Sequence, residues 1–166
     1  TITFNGPRTI CNGDTTILSA PSGYVTYLWS NGETTQSISA AIAGAYTVTV
    51  SDTNGCTGTS RPANLFVRNL PAKPTLSVIT DSIFCQGDST VLRAPIGYAS
   101  YMWSTGEKGL SIVVRDSGSY WVTVADAFGC DINSDTINVT VNAPPTKPDI
   151  VVNGPSTFCE NDSTEL

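Results

Sequence analysis

Apolar and polar residues alternate along most of this chain, which is the pattern of strands that bury one face. The clearest alternation is Tyr-x-Val-x-Val at 46–50, and it recurs at 120–124. Shorter alternating runs lie at 13–20 and 87–94, and turn residues follow them. The 3.6-residue period of an amphipathic helix does not persist anywhere in the sequence. The pattern therefore predicts an all-β protein of short strands joined by tight turns.

The strand pattern repeats every 74 residues without an insertion. The cysteines show the period (85 − 11 = 159 − 85 = 130 − 56 = 74) and form two series: Cys11, Cys85 and Cys159, and Cys56 and Cys130. A period of this length suits one small domain. We expect one domain at 1–74, a second at 75–148, and the start of a third at 149–166 that continues beyond Leu166.

Each repeat is predicted to be a two-sheet sandwich of six or seven strands. Asp-Ser-Gly-Ser-Tyr at 116–120 has the form of the tyrosine corner of immunoglobulin domains. The first repeat has Ile42 in place of Asp116, so we expect a looser corner there. The predicted core consists of Leu18, Trp29, Tyr46 and Val48 in the first repeat and Leu92, Trp103, Tyr120 and Val122 in the second. The predicted fold class is all-β, with tandem immunoglobulin-like β-sandwich domains.

Proline-rich linkers follow each repeat, with Leu-Pro-Ala-Lys-Pro at 70–74 and Pro-Pro-Thr-Lys-Pro at 144–148. Proline fixes φ and disfavours helix in the residue before it, so these linkers should be short, extended and stiff. We therefore expect the domains to stand end to end in a linear array.

The cysteines are expected to form structural disulfides, because two occur per repeat at fixed offsets and the chain has no histidine. A linear array needs the two ends of each domain at opposite poles, which requires an odd number of antiparallel strands. Cys11 and Cys56 would then be separated by a strand of about seven residues, or about 23 Å, whereas bridged Cα atoms lie within about 7 Å. Cys11 would instead reach Cys130 in the next domain. Cys85 would pair with a cysteine beyond this stretch, and Cys56 with one before it.

An even-stranded fold would allow the alternative pairing inside each repeat, Cys11 with Cys56 and Cys85 with Cys130. The sequence leaves both pairings open. Either pairing places the protein in an oxidising compartment.

Charge and composition exclude several classes of function. The net charge is −6 and the 8 Lys and Arg residues are scattered singly, so no basic face is available for nucleic acid. No segment is apolar and long enough to span a membrane. Without histidine, and with carboxylates that recur in turns, no catalytic residue or cofactor is expected. Calcium at 12–14 or 52–55 is an alternative, although it would need six or more converging oxygens and no dense acidic loop supplies them.

Four motifs recur in the repeats: Cys-x-Gly-Asp, Gly-Tyr-x-x-Tyr-x-Trp-Ser-x-Gly-Glu, Gly-x-Tyr-x-Val-Thr-Val and Asp-x-x-Gly-Cys. With these motifs the chain resembles the Ig-like, PKD-like tandem repeats of large Bacteroidota cell-surface proteins exported by type IX secretion. The resemblance covers both full repeats and the beginning of the third. It implies an extracellular or cell-surface protein of a Gram-negative bacterium. These domains would form the stalk of an adhesin, a gliding protein or a filamentous appendage.

Proteins of that group also carry O-linked glycans on Ser or Thr in the pattern Asp-(Ser/Thr)-(Ala/Ile/Leu/Val/Met/Thr). The candidate positions here are Thr15, Ser82, Ser89, Thr136 and Ser163. Asp-Ser and Asp-Thr are also ordinary turn residues in a β protein. Glycosylation at these positions is therefore an implication of the resemblance.

Three apolar residues are expected to face outward and to contact other molecules. Leu28 and Met102 point opposite to the neighbouring core aromatics, and Trp121 lies between Tyr120 and Val122. They favour contacts with neighbouring repeats, in a homo-oligomer or a filament. The alternative function is a carbohydrate-binding or spacer module of a secreted hydrolase, in which Trp121 would stack on the ring of a surface glycan.

Overall fold

Strands make up the regular structure of this chain, which a computed structural model describes over residues 1–151 and at Thr157 and Cys159. The first repeat contains β1 (Thr3–Phe4), β2 (Thr9–Cys11), β3 (Thr16–Ser19), β4 (Thr26–Trp29), β5 (Ser37–Ala40), β6 (Gly44–Tyr46), β7 (Val48–Ser51), β8 (Thr57–Thr59) and β9 (Ala63–Arg68). The second contains β10 (Ser77–Val78), β11 (Ile83–Cys85), β12 (Thr90–Arg93), β13 (Ser100–Trp103), β14 (Ser111–Val114), β15 (Gly118–Tyr120), β16 (Val122–Ala125), β17 (Asp131–Asn133) and β18 (Ile137–Asn142). Most of the predicted third repeat lies outside the described residues.

Two sheets form each repeat. In the first, one sheet has the order β1-β3-β5, and the other combines β2-β9-β6 with β4-β7-β8. The latter two groups are continuous, because only Thr47 separates β6 from β7 and the Ser60 N–H donates to the Val48 carbonyl at 2.9 Å. The second repeat has the same order, with β10-β12-β14 against β11-β18-β15 and β13-β16-β17. The predicted class, all-β with immunoglobulin-like sandwiches, is confirmed.

Each repeat has more strand segments than the six or seven predicted. The reason is that two long strands are interrupted. In the first repeat β6 and β7 are halves of one strand, and β8 and β9 are halves of another, with residues 60–62 between them. The interruptions leave the order of the strands unchanged.

The N-terminal strand of each repeat changes sheets, and this change positions a cysteine. In the first repeat β1 pairs antiparallel with β3, whereas β2 pairs in parallel with β9 of the other sheet. Cys11 lies opposite Arg68, and the Asn12 N–H donates to the Arg68 carbonyl at 2.8 Å. Cys11 thus lies at the end of the domain from which the linker leaves, the C-terminal pole. Cys56, in the turn between β7 and β8, lies at the opposite, N-terminal pole.

Each repeat has its own apolar core, to which both sheets contribute. The Trp29 indole N–H donates to the Thr35 carbonyl at 2.8 Å, and that of Trp103 to the Gly109 carbonyl at 2.9 Å. The larger buried side chains of the first core are Ile2, Ile10, Leu18, Trp29, Ile38, Tyr46, Val48 and Leu65. Those of the second are Leu92, Trp103, Ile112, Val114, Val122, Val124 and Val139, with Tyr120 partly buried against them.

A tyrosine corner is present in both repeats. The Tyr120 hydroxyl donates to the Asp116 carbonyl at 3.0 Å, and the Tyr46 hydroxyl donates to the Ile42 carbonyl at 2.9 Å. The expectation of a looser first corner was wrong, because the acceptor is a backbone carbonyl that any residue supplies. Burial, and to a lesser degree the charge of Asp116, raises the pKa of the Tyr120 hydroxyl, which favours the protonated form that donates this bond.

The two cores differ in the hydrogen bonding of one buried threonine. In the second repeat the Thr80 hydroxyl donates to the Thr90 hydroxyl oxygen at 3.0 Å. The first repeat has Thr16 at the equivalent position and Gly6 in place of Thr80, and a Cβ on Gly6 would lie 2.8 Å from Thr16 Oγ1. Among the described residues, Thr16 Oγ1 has no hydrogen-bond partner although it is buried. The first core therefore contains a polar group whose desolvation is not offset.

This difference predicts opposite effects for one substitution in the two repeats. Thr16→Val removes an unpaired buried hydroxyl and should raise the free energy of unfolding by about 1 kcal/mol. Thr90→Val removes the acceptor of the Thr80 hydroxyl and should lower it by about 1 kcal/mol. Urea unfolding of the two variants measures both changes. Equal destabilisation by the two substitutions would contradict the prediction.

Candidate functional site: the joint between the repeats

A disulfide joins the two repeats. Cys11 at the C-terminal pole of the first repeat is bonded to Cys130 at the N-terminal pole of the second, with their Cα atoms 5.5 Å apart. The structure therefore has the pairing between successive repeats. It does not have the alternative pairing within each repeat, because Cys56 and Cys85 are free and exposed.

Equivalent turns hold the cysteine of each N-terminal pole. Asp126 Oδ1 accepts hydrogen bonds from the Phe128 N–H at 2.8 Å and the Cys130 N–H at 3.0 Å. In the first repeat Asp52 Oδ1 accepts from Asn54 and Cys56 in the same way, each at 2.9 Å. These aspartates shape the turn and direct its backbone, as in an Asx turn. Cys56 is exposed whereas Cys130 is only 1% exposed, so the joint, and not the turn, buries the second cysteine.

Noncovalent contacts surround the disulfide. The Arg68 guanidinium lies over the Phe128 ring, 3.5 Å from its centroid. Lys73 in the linker forms an ion pair with Asp135 of the second repeat. The Tyr98 hydroxyl of the second repeat donates to the linker carbonyl of Ala72 at 2.7 Å. The linker is thereby attached to the domain that follows it.

The disulfide is the covalent contact between the two domains at this joint. By closing the loop between Cys11 and Cys130 it lowers the entropy of the unfolded chain, which stabilises the folded protein by about 4–5 kcal/mol. An exposed cation–π contact contributes about 0.5–1 kcal/mol, and an exposed ion pair about 0–1 kcal/mol. Two bodies connected by both a linker and a disulfide keep only rotation about the line through those connections. The weaker contacts then need only to resist that rotation.

The noncovalent residues of the joint were not predicted from the sequence. Arg68, Phe128 and Asp135 have unlike residues one period away, namely Asn142, Asn54 and Arg61. Core positions differ between the repeats as well, as at Leu65 and Val139, so such a difference does not by itself identify a joint residue. Lys73 and Tyr98 have the same residues one period away, Lys147 and Tyr24.

The other predicted sites are scattered over the surface. Thr15 and Thr136 are exposed, Ser82 and Ser89 are partly buried, and Ser163 lies outside the described residues. The side chains predicted to make outside contacts are exposed by 54% at Leu28, 41% at Met102 and 38% at Trp121. Leu28 and Met102 lie on β4 and β13, the edge strands of equivalent sheets. Thr15 lies at the joint, where it lines a cleft together with Cys11 and Phe128, and Thr136 directly follows Asp135 of the joint.

In the described part of the chain, the Cys, Asp and Glu residues form no group of three or more that could hold a metal ion. In the turns considered for calcium, the Asp52 carboxylate is engaged by backbone N–H groups instead. Over the same described residues, we found no helix with the length and apolar character needed to cross a bilayer.

Comparison with known proteins gives only distant likeness. No family model and no curated protein matches the chain. A crystal structure of murine CEACAM1b aligns at 13% identity and a TM-score of 0.39, covering 86% of this chain and 100% of that one. The structure of a mouse coronavirus receptor-binding domain complexed with its murine receptor aligns at 13% identity and a TM-score of 0.38, covering 86% of this chain and 100% of that one. Fibronectin(III)-like modules of Clostridium thermocellum CbhA align at 15% identity and a TM-score of 0.41, covering 86% of this chain and 95% of that one. Likeness of this degree assigns no function.

Loss of the disulfide should uncouple the two repeats. In the native protein we expect both repeats to tumble as one body, whereas in Cys130→Ser each should reorient with its own shorter correlation time. ¹⁵N relaxation of backbone amides in the two repeats measures this difference. Cys56→Ser changes the equivalent free cysteine and should leave the common tumbling intact. Common tumbling in Cys130→Ser as well would show that the disulfide is not needed for a rigid joint.

The cation–π contact should assist formation of the disulfide. Phe128→Asn installs the residue of the first repeat and should lower the effective concentration of the Cys11–Cys130 thiol pair about 2- to 5-fold. Equilibration with reduced and oxidised glutathione measures that concentration. Arg8→Asn removes a cation–π contact inside the first repeat, where Arg8 lies 4.8 Å from the Phe4 ring centroid, and should leave the equilibrium unchanged. Equal effects of the two variants would contradict a specific role for Phe128.

Proposed function

We propose that this chain is a force-bearing segment of an extracellular stalk, in which disulfides staple tandem immunoglobulin-like domains end to end. The observation that carries the proposal is the Cys11–Cys130 disulfide, which crosses the joint and spans a sequence separation of 119 residues. Immunoglobulin-like sandwiches occur in structural proteins and in binding proteins, so the fold by itself does not indicate which of these two functions the chain has. The staple favours the structural role because a binding module does not need it.

The disulfide shortens the covalent path between the two ends of the pair. Tension applied at Thr1 passes along the N-terminal strand segment to Cys11 and crosses the disulfide to Cys130. It then follows β17 and β18 to the second linker. The chain between the two cysteines is outside this path. Those residues can lose their native contacts under load, but they cannot extend the stalk until the disulfide breaks.

The proposed location is the outer surface of a Gram-negative bacterium. The disulfide requires an oxidising compartment, in agreement with the low content of charged residues, 13%. The resemblance to Ig-like, PKD-like repeats supports export by the type IX route and a role in an adhesin, a gliding protein or an appendage. Among the proposed glycosylation positions that the structure describes, Thr15 and Thr136 are exposed, whereas Ser82 and Ser89 are partly buried.

Lateral assembly into a filament is part of the proposal. Leu28 and Met102 occupy equivalent positions on the edge strands β4 and β13, so the same apolar position recurs in each repeat. Trp121 is exposed in the second repeat, where the first has Thr47. Apolar side chains in register along an array would give a second copy a periodic surface to contact.

Stretching single molecules tests the proposal. With Cys56, Cys85 and Cys159 replaced by Ser, the protein is pulled from its two ends with Cys11–Cys130 oxidised. We expect full unfolding to release about 400 Å less contour length than in the Cys11→Ser/Cys130→Ser variant, because the sequence separation of 119 between the two cysteines, at about 3.3–3.6 Å per residue, stays outside the path.

Reduction supplies a control in the same experiment. Adding a thiol reductant to the oxidised protein under load should release the missing length in one step, whereas the doubly substituted variant should not respond. Release of the full length by the oxidised protein before reduction would overturn the force-bearing role.

A further inference from the structure

The outer poles of the pair carry the same cysteines as the joint but different neighbours. The C-terminal pole of the second repeat has Cys85, with Asn142 opposite it in the β11–β18 pairing. The backbone there matches the joint, because the Gln86 N–H donates to the Asn142 carbonyl at 2.9 Å. Lys147 follows in the second linker, at the position of Lys73 in the first. This pole is therefore shaped like the half of the joint that holds Cys11.

The N-terminal pole of the first repeat is shaped like the other half of the joint. Cys56 lies there in a turn held by Asp52, as Cys130 is held by Asp126. At the positions of Phe128 and Asp135, however, the first repeat has Asn54 and Arg61.

We infer that the joint is selective: the contacts Arg68–Phe128 and Lys73–Asp135 determine which poles accept each other, in addition to the cysteines. The C-terminal pole of the second repeat then fits a further immunoglobulin-like unit that carries a cysteine at the position of Cys130 and a carboxylate at the position of Asp135. This inference rests on the stapled joint of the proposed stalk and names the partner of its free pole.

Charge complementarity favours that partner over a second copy of this chain. If the two outer poles met in the geometry of the joint, Lys147 would face Arg61, a pair of like charges. The cation–π contact would be replaced by Asn142 facing Asn54. A carboxylate in the partner would instead reproduce the ion pair of Lys73 with Asp135. Both cysteines of the outer poles are exposed, so access does not prevent their pairing.

The test asks whether two copies can be made to join head to tail. The full chain with Cys159→Ser is incubated with oxidised glutathione, and covalent oligomers joined from Cys85 of one copy to Cys56 of another are quantified by non-reducing peptide mapping. Two thiols and one oxidised glutathione yield one protein disulfide and two molecules of reduced glutathione. The parent is compared with a variant that installs the joint residues, N54F/R61D/N142R.

We expect the variant to form about 5- to 20-fold more Cys85–Cys56 oligomer than the parent at equal concentration, and R61D alone about 2- to 5-fold more. Arg93→Asp makes the same charge change on β12, opposite Ser77 and away from both outer poles, and should match the parent. Equal oligomer in parent and variant, or an equal gain in Arg93→Asp and R61D, would overturn selectivity by these contacts.

The intramolecular disulfide, mapped in the same samples, separates the two proposals. Cys11–Cys130 present in every sample shows that the variants fold and that the staple exists. The oligomer yield then tests selectivity alone. Loss of Cys11–Cys130 from the parent would overturn the proposed stalk and, with it, the joint from which selectivity is inferred.

Discussion

The joint depends on the parallel pairing of β2 with β9. Because the N-terminal strand crosses from one sheet to the other, it ends beside Arg68, the last residue of β9. Had the strand stayed with β3, Cys11 would have reached the same pole on the other sheet. The sheet change instead places the thiol next to the exit of the chain, where the turn of the following domain arrives. This strand pairing thus makes the turn between β2 and β3 one half of an interdomain staple.

Covalent and noncovalent interactions have different roles at the joint. The disulfide and the linker limit the separation of the two domains, since both are covalent. The contacts of Arg68 with Phe128 and of Lys73 with Asp135 are individually small, because they lie near solvent. With the ends already held together, small contacts suffice to choose one orientation. Their proposed role is therefore to select the orientation in which the two domains meet.

The two repeats share what the fold needs and differ where they meet. The core tryptophans, the tyrosine corners and the Asx turns have the same partners in both copies. The copies differ at the joint contacts and also inside the core, where the first has Gly6 and the second has Thr80. The first sandwich therefore tolerates an unpaired buried hydroxyl at Thr16, whereas the second satisfies that of Thr90 with Thr80.

The sequence by itself determined the all-β class, because alternation with a period of two reports which side of a strand is buried. The 74-residue period placed equivalent cysteines at equivalent turns, and the pole argument identified Cys130 as reachable from Cys11. The sequence left the pairing open because it does not show how residues 30–36 connect β4 to β5. This connection decides whether the number of antiparallel strands is odd or even. Only the tertiary structure decided that pairing and brought Arg68 to Phe128. Such contacts join residues far apart in the chain, and their geometry follows from how two finished domains meet.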